Sequence, residues 1–122
     1  MPAYNFMAQF APAVRAGRKL HTVRKRRHYP TKPGQTFTAT IGARSPKREV
    51  IFIGTVTKVE PLLIRDGAWT VGAWRWTPEQ VAAFVAADTD GRWTVEQFEA
   101  FIRETYGDCD DMEIVHWEEK RP

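Results

Sequence analysis

Gly17, Lys19, Thr22 and Arg24, all within the octet GRKLHTVR, carry the densest chemistry in this chain. An amine, a hydroxyl and a guanidinium held close together suit nucleophilic attack with anion binding. A lysine kept near neutrality takes a proton, a threonine hydroxyl attacks, and an arginine holds the negative charge that develops. Arg15, Arg18 and Arg24 flank Lys19 in sequence. Their charges disfavour its ammonium, and partial burial would add to that. In an extended strand Lys19 and Thr22 face opposite sides, whereas Thr22 and Arg24 share one. The three groups therefore need a turn near Gly17 to meet in one pocket. Spacing alone does not separate this arrangement from surface charges around a buried turn.

The flanking sequence supplies elements that would make such a turn. Tyr4 to Phe10 is apolar and aromatic and suits a strand or the approach to a helix. Pro12 fits the first turn of a short helix, where its missing N–H costs nothing, and Gly17 sits where that helix would be capped. Leu20 to Arg24 reads as an extended segment, and Lys25 to Gly34 as a basic, proline-containing loop. Thr36 to Ile41 alternates like a strand, Arg44 to Lys47 turns the chain, and Val50 to Val59 is the strongest strand signal. Gly54 within it predicts a bulge or a close backbone approach. Pro61 to Ile64 reads as a further edge strand, and Asp66 to Thr77 as a hairpin or a packed loop. Thr77-Pro78-Glu79 predicts a helix start, with Val81, Phe84 and Val85 on one face and an end near Ala87. Thr94 with Gln97 predicts a capping box for a second helix ended by Gly107. Met112 to Trp117 alternates as a closing strand.

This order of elements predicts an α+β fold, a small mixed or antiparallel β-barrel with helices packed outside. At 122 residues, 43% hydrophobic and 27% charged, the chain reads as one globular domain spanning 1–122. No apolar run is long enough to span a bilayer, and the first ten residues lack the charged and apolar regions of a secretory signal. A single cysteine, Cys109, makes an internal disulfide impossible and fits a reducing cytoplasm. The net charge of +3 hides an asymmetry: residues 1–48 hold eleven Lys or Arg and no acid, while residues 49–122 hold seven basic and fifteen acidic residues. Such a basic segment wants a polyanion or the acidic half of its own chain.

The stretch from Phe10 to Arg24 resembles the ASCH domain family of the PUA-like superfamily, whose hallmark is a G-x-K-x-x-T-x-R run after a short helix. Gly17, Lys19, Thr22 and Arg24 match it. Pro33-Gly34-Gln35 resembles the family's turn into a barrel strand, with Gln35 replacing the usual Asp, and Met112 to Trp117 resembles its closing strand. The resemblance implies a PUA-like β-barrel with flanking helices and an RNA or nucleoside partner. One bacterial group in the family hydrolyses the amide of N4-acetylcytidine with a Lys, a Thr and an acid; another member is a ribonuclease. It implies Thr22 as nucleophile and Lys19 as base. The family's acid is a Glu shortly before a helix that precedes the last strand. Here Asp90 is the nearest candidate, Asp88 the next, and Glu60 a third. No cofactor is implied.

Around this catalytic set of Lys19, Thr22 and Asp90, substrate contacts are expected from Arg24, Arg18, His21, Arg26, Arg27 and Trp74. Arg24 to Arg27 suit phosphates, and Trp74 or Trp76 suits base stacking, whereas Trp93 and Trp117 suit a core. Asp88-Thr-Asp90-Gly91 resembles part of a calcium loop, but Ala86 and Gln97 stand where ligands are needed. His21, His28, His116 and Cys109 lack metal-ligand spacing. The acids around Cys109 would raise its pKa. Two functions follow: a hydrolase acting on modified cytidine or on RNA, or a non-catalytic RNA-binding module in which Lys19 and Arg24 hold phosphate and Thr22 orients the turn.

Overall fold

The computed structural model describes residues 3–27, 29, 31–42 and 46–119. His28, and Arg44 and Ser45 of the expected turn, lie outside the described residues. In chain order the elements are β1 (Ala3–Phe6), a 3₁₀ turn (Ala8–Phe10), α1 (Ala11–Arg15), β2 (His21–Lys25), β3 (Thr36–Ile41), β4 (Glu49–Arg65), β5 (Ala68–Val71), β6 (Trp74–Arg75), α2 (Pro78–Thr89), α3 (Val95–Tyr106) and β7 (Met112–Glu119). The fold is mixed α+β: a curled, mixed seven-stranded sheet forms a half-barrel, and three short helices accompany it. β1 runs parallel to β3, and the other pairings are antiparallel. No described helix is long and apolar enough to cross a membrane.

β4 explains most of the architecture. The β-branched run and the Pro61–Ile64 segment are one continuous strand of 17 residues, not two. It pairs with β3, β5 and β7 in turn. Against β7 the register skips between Val56 and Lys58. One extra residue on one strand flips every later side chain to the other face. Val56 therefore packs inside the half-barrel with Tyr4, Phe6, Phe37, Val115 and Trp117. Beyond the bulge, Leu62 and Ile64 face α2 and α3 and pack with Trp69, Phe84, Phe98 and Ile102. One strand thus serves two cores.

The hairpin reading of Asp66 to Thr77 holds. Asp66 and Gly67 take φ of 52° and 76°, as a two-residue turn between β4 and β5 requires. Thr77 and Thr94 each form a full capping box, with Gln80 and Gln97. α2 runs two residues past the expected end at Ala87, to Thr89. That extension matters for the site. Trp69 is core at 1% exposure, Trp117 is buried at 3%, and Trp93 and Trp76 are partly buried.

Gly54 marks a close approach, as its place in the strand suggests, and the nearby bulges fall at other residues. A Cβ there would lie 2.6 Å from Phe37 Cζ and 2.9 Å from Phe52 Cε2. Phe37 is fully buried and cannot step aside. Gly54→Ala is therefore expected to destabilise the fold by about 1–3 kcal/mol, the usual range for overpacking. Urea denaturation reads this directly; an unchanged midpoint would show that the Phe37 ring has room to move.

Candidate functional site

The turn that the octet needs is the end of α1. The N–H groups of Arg18 and Lys19 both reach the Ala13 carbonyl, at 2.9 and 3.2 Å. Gly17 takes φ 75°, a left-handed conformation that a side chain would penalise. The fold-back turns Lys19 inward just before β2 begins. Lys19 is 3% exposed, and its Nζ lies 2.6 Å from Asp88 Oδ1. The same oxygen lies 2.8 Å from His21 Nδ1, whose ring stacks on Phe84 with centroids 4.5 Å apart. Phe10 and Phe6 flank the ammonium at 5.8 and 6.0 Å from their ring centroids.

β2 then alternates. His21 and Val23 face the helices, while Thr22 and Arg24 face the half-barrel. Arg24 Nε donates to Thr22 Oγ1 at 3.2 Å, and Arg24 Nη2 donates to the Asn5 carbonyl at 2.9 Å. Its guanidinium lies over Tyr4 and Phe6 at 5.3 and 5.4 Å. Lys19, Thr22, Arg24, Asp88 and Asn5 line one cleft of about 80 Å³, walled by aromatic residues that include Phe6, Phe10, Trp93 and Phe101. The octet's amine, hydroxyl and guanidinium do reach one hollow.

Burial would push the Asp88 carboxyl up, but the Lys19 ammonium and the His21 N–H outweigh it and hold Asp88 below the usual carboxylate value. Lys19 goes the other way from its ordinary state. Burial lowers its pKa, Asp88 only partly restores it, and the Arg24 charge lowers it further. One carboxylate divided between two donors cannot fully support either. The amine therefore gives up its proton more readily than an exposed lysine.

Asp90, the acid nearest by sequence position, does not reach Lys19. It caps α2 at φ 55°, and Arg18 grips its two oxygens at 3.3 and 3.2 Å in an exposed pair. Asp88 is the acid beside Lys19. Glu60 bonds His116 at 2.7 Å on the helix-facing side and does not line the cleft. His21 holds Asp88 rather than lining the cleft. Arg27 Nη2 donates to the Ala3 carbonyl at 3.2 Å and its guanidinium sits over Tyr4; Arg26 is exposed on the loop that follows β2. Trp74, at 76% exposure on β6, is not among the residues lining the cleft.

The aromatic walls and Asn5 are absent from the sequence reading. Asp88 was within its reach: it follows Val81, Phe84 and Val85 at helical spacing, so a helix carried past Ala87 puts a carboxylate on the apolar stripe. The Cys109 thiol is raised by burial, with Asp110 and other acids adding to it against Arg103. Among the described residues no group of three or more His, Cys, Asp and Glu side chains is placed to hold a metal ion. No protein-family model, curated protein or solved structure matches the chain.

Asp88→Ala leaves the buried ammonium without its partner and is expected to cost about 3–5 kcal/mol, while Lys19→Met combined with Asp88→Leu recovers most of that. Denaturation of the two variants side by side measures the difference; equal losses would mean the pair is not coupled. The Asp88 contribution has a fixed sign. Its folded pKa lies below the ordinary 3.8, so its stabilisation is full above that value and is lost as pH falls through the lower folded value. A second measurement needs no substrate. In His21→Phe, Asp88 serves Lys19 alone, so the Lys19 pKa is expected to rise. In His21→Asn, whose amide nitrogen can stand where Nδ1 stood, it should return. The pH dependence of Lys19 acylation, followed by mass spectrometry, reports this, each unit changing labelling at fixed pH about tenfold. Identical profiles in all three proteins would remove His21 from any hold on Lys19.

Proposed function

We propose that this chain is a hydrolase of the ASCH type within the PUA-like superfamily, cleaving the amide of an N4-acylated cytidine. The observation that carries the reading is the cleft itself: a buried lysine, whose pKa burial lowers, and a threonine hydroxyl share a small aromatic hollow with an arginine. A volume of about 80 Å³ admits an acyl group or the edge of one base. That favours a modified nucleoside over cleavage within a polynucleotide backbone, the ribonuclease form of the same reading.

In this scheme Thr22 Oγ1 attacks the acyl carbon and its proton passes to neutral Lys19. Arg24 already donates to Thr22 Oγ1, so the hydroxyl's own hydrogen is free to leave. The oxyanion that forms is stabilised by the Arg24 charge. The C–N bond then breaks, and the leaving nitrogen takes a proton from the Lys19 ammonium. Water attacks the acyl–Thr22 ester, which releases the carboxylic acid and restores the hydroxyl. One water is consumed in all. Asp88 does not enter the bond changes; it positions Lys19 and sets how readily the amine loses its proton.

A non-catalytic RNA-binding module is the opposing reading. It is favoured by one observation: the ion pair at 2.6 Å already occupies the Lys19 ammonium. The basic run Arg24 to Arg27 would then hold phosphates. Incubation of the protein with N4-acetylcytidine and, separately, with labelled RNA decides between the two. For the hydrolase, turnover should fall at least about 10²-fold in both Lys19→Ala and Thr22→Ala, the usual contribution of a general base or more. The rate should also rise with pH through a Lys19 pKa below the ordinary 10.5, because the neutral amine is the active form. RNA binding that weakens with salt, with no turnover of either substrate, would establish the module instead.

A further inference from the structure

Glu113 is the most isolated carboxyl in the interior. It sits near the start of β7 on the same face as Val115 and Trp117, the face turned to the half-barrel. It is 6% exposed, yet among the described residues it makes no hydrogen bond and no ion pair. Its oxygens are not sealed in, because among the described residues Trp117 Nε1 is the one fully buried side-chain polar atom without a partner. What Glu113 faces is a cavity of about 350 Å³, separate from the Lys19 cleft in its lining. Thr31, Pro33, Val59 and Pro61 form walls, and Arg26 and Asp111 stand beside the carboxyl. Pro61 has no N–H, and Thr31 is already bonded to the Tyr4 hydroxyl at 2.8 Å. The cavity therefore offers weakly polar walls, the Glu113 carboxyl within, and the Arg26 guanidinium and the Asp111 carboxyl beside it.

We infer that this cavity is a base-binding subsite selective for guanine, with Glu113 accepting from N1–H and the N2 amino group and Arg26 donating to O6. Guanine alone among the four bases puts two adjacent N–H donors on its Watson–Crick edge next to an acceptor. Adenine and cytosine would set a ring-nitrogen lone pair against the carboxylate, and uracil would flank one N–H with two carbonyls. A site built to accept two donors rejects an analogue that lacks them, because its own acceptor is then left unpaired. Proline and valine faces suit the ring. Burial raises the Glu113 pKa, with Arg26 and Arg27 opposing and Asp111 adding; two donated hydrogen bonds favour the ionised form. Binding should thus weaken as pH falls through that raised value. The inference does not rest on the hydrolase reading, since no residue of the Lys19 cleft takes part.

Guanine can come from a free nucleotide or from an RNA strand, and the test separates them. The full chain, labelled with ¹⁵N, is titrated with GMP, AMP, CMP, UMP and inorganic phosphate, then with hexaribonucleotides carrying a single G or an A in its place. The expected result is a set of amide shifts at Arg26, Thr31 and Glu113, with GMP at least tenfold tighter than AMP. Glu113→Gln, which presents one acceptor and one donor, should lose that preference at least tenfold. Arg26→Ala, an exposed change, should weaken GMP and serves if the first variant does not fold. A response to the G hexamer without GMP supports guanine read from a strand, and a response to both supports guanine wherever it is held. Equal affinity for GMP and AMP, shifts reproduced by phosphate alone, or a preference unaffected by Glu113→Gln would overturn the assignment.

Discussion

The Asp88 carboxylate is the constraint on which the site's geometry turns. A buried anion is tolerated only when its lone pairs are used. Here a single oxygen accepts from Lys19 on the turn after α1 and from His21 on β2, at 2.6 and 2.8 Å. Asp88 itself rides on the last turn of α2. The junction of α1 and β2 is therefore tied at one atom to the end of α2, 69 residues beyond Lys19 and 67 beyond His21. Once α2 is fixed there, its C-terminal turn brings Trp93 edge-on to Phe10, with centroids 5.3 Å apart, and Trp93 in turn meets Phe101 of α3 at 4.9 Å. The aromatic walls of the cleft follow from where the carboxylate lies. The exposed Arg18–Asp90 pair joins the same two segments from outside, where solvent makes it worth little.

Alternation along β2 divides the octet into two tasks. The residues that face the helices anchor: His21 holds Asp88, and Val23 packs in the helix-side core. Those that face the half-barrel are presented to the cleft: Thr22 and Arg24. β7 continues the scheme, because His116 lies opposite His21 and Val115 lies opposite Thr22. His116, edge-on to His21 with centroids 5.7 Å apart, is held down by burial against the pull of Glu60, with His21 and Lys58 adding to the lowering. The bulge in β4 keeps this alternation in step with two cores at once.

Local chemistry was the most legible part of the sequence. The Thr77 helix start, the Thr94 capping box, the Gly17 turn and the Thr36 to Ile41 strand are written in short range, where propensity and hydrogen-bond satisfaction decide. What was less legible depends on distance. Pro61 suggested an edge, yet it lies in a strand paired on both sides; opposite it stands Glu113, and its carbonyl accepts from Gly72 N–H at 2.9 Å. Nothing local shows that a proline's missing donor falls where no ladder bond is needed. By sequence position Asp90 stands ahead of Asp88 because it lies nearer the helix that precedes the last strand, and a helix ended at Ala87 stops the stripe of Val81, Phe84 and Val85 one residue short of Asp88. Asp90 in the left-handed conformation does end the helix. The buried member of the pair is the one on the stripe, and only the tertiary contact with Lys19 makes a charge acceptable there.

The cleft lies where it does because the curled sheet does not close on itself. β1 pairs with β3 and β2 with β7, and no backbone ladder joins β1 to β2 among the described residues. Two arginines span that seam instead: Arg24 bonds the Asn5 carbonyl at 2.9 Å, and Arg27 bonds the Ala3 carbonyl at 3.2 Å. Ala3 and Asn5 are alternate residues of β1, so their carbonyls fall on the same side, the side that faces β2. A guanidinium reaches further than a peptide N–H, and the strands can stand apart by the width of a side chain. That gap leaves beside the seam a space that a closed ladder would fill. Arg24 meets Thr22 and Asn5 at once through two nitrogens of one planar fork, Nε and Nη2, whereas a lysine in its place would bring all its donors on a single nitrogen.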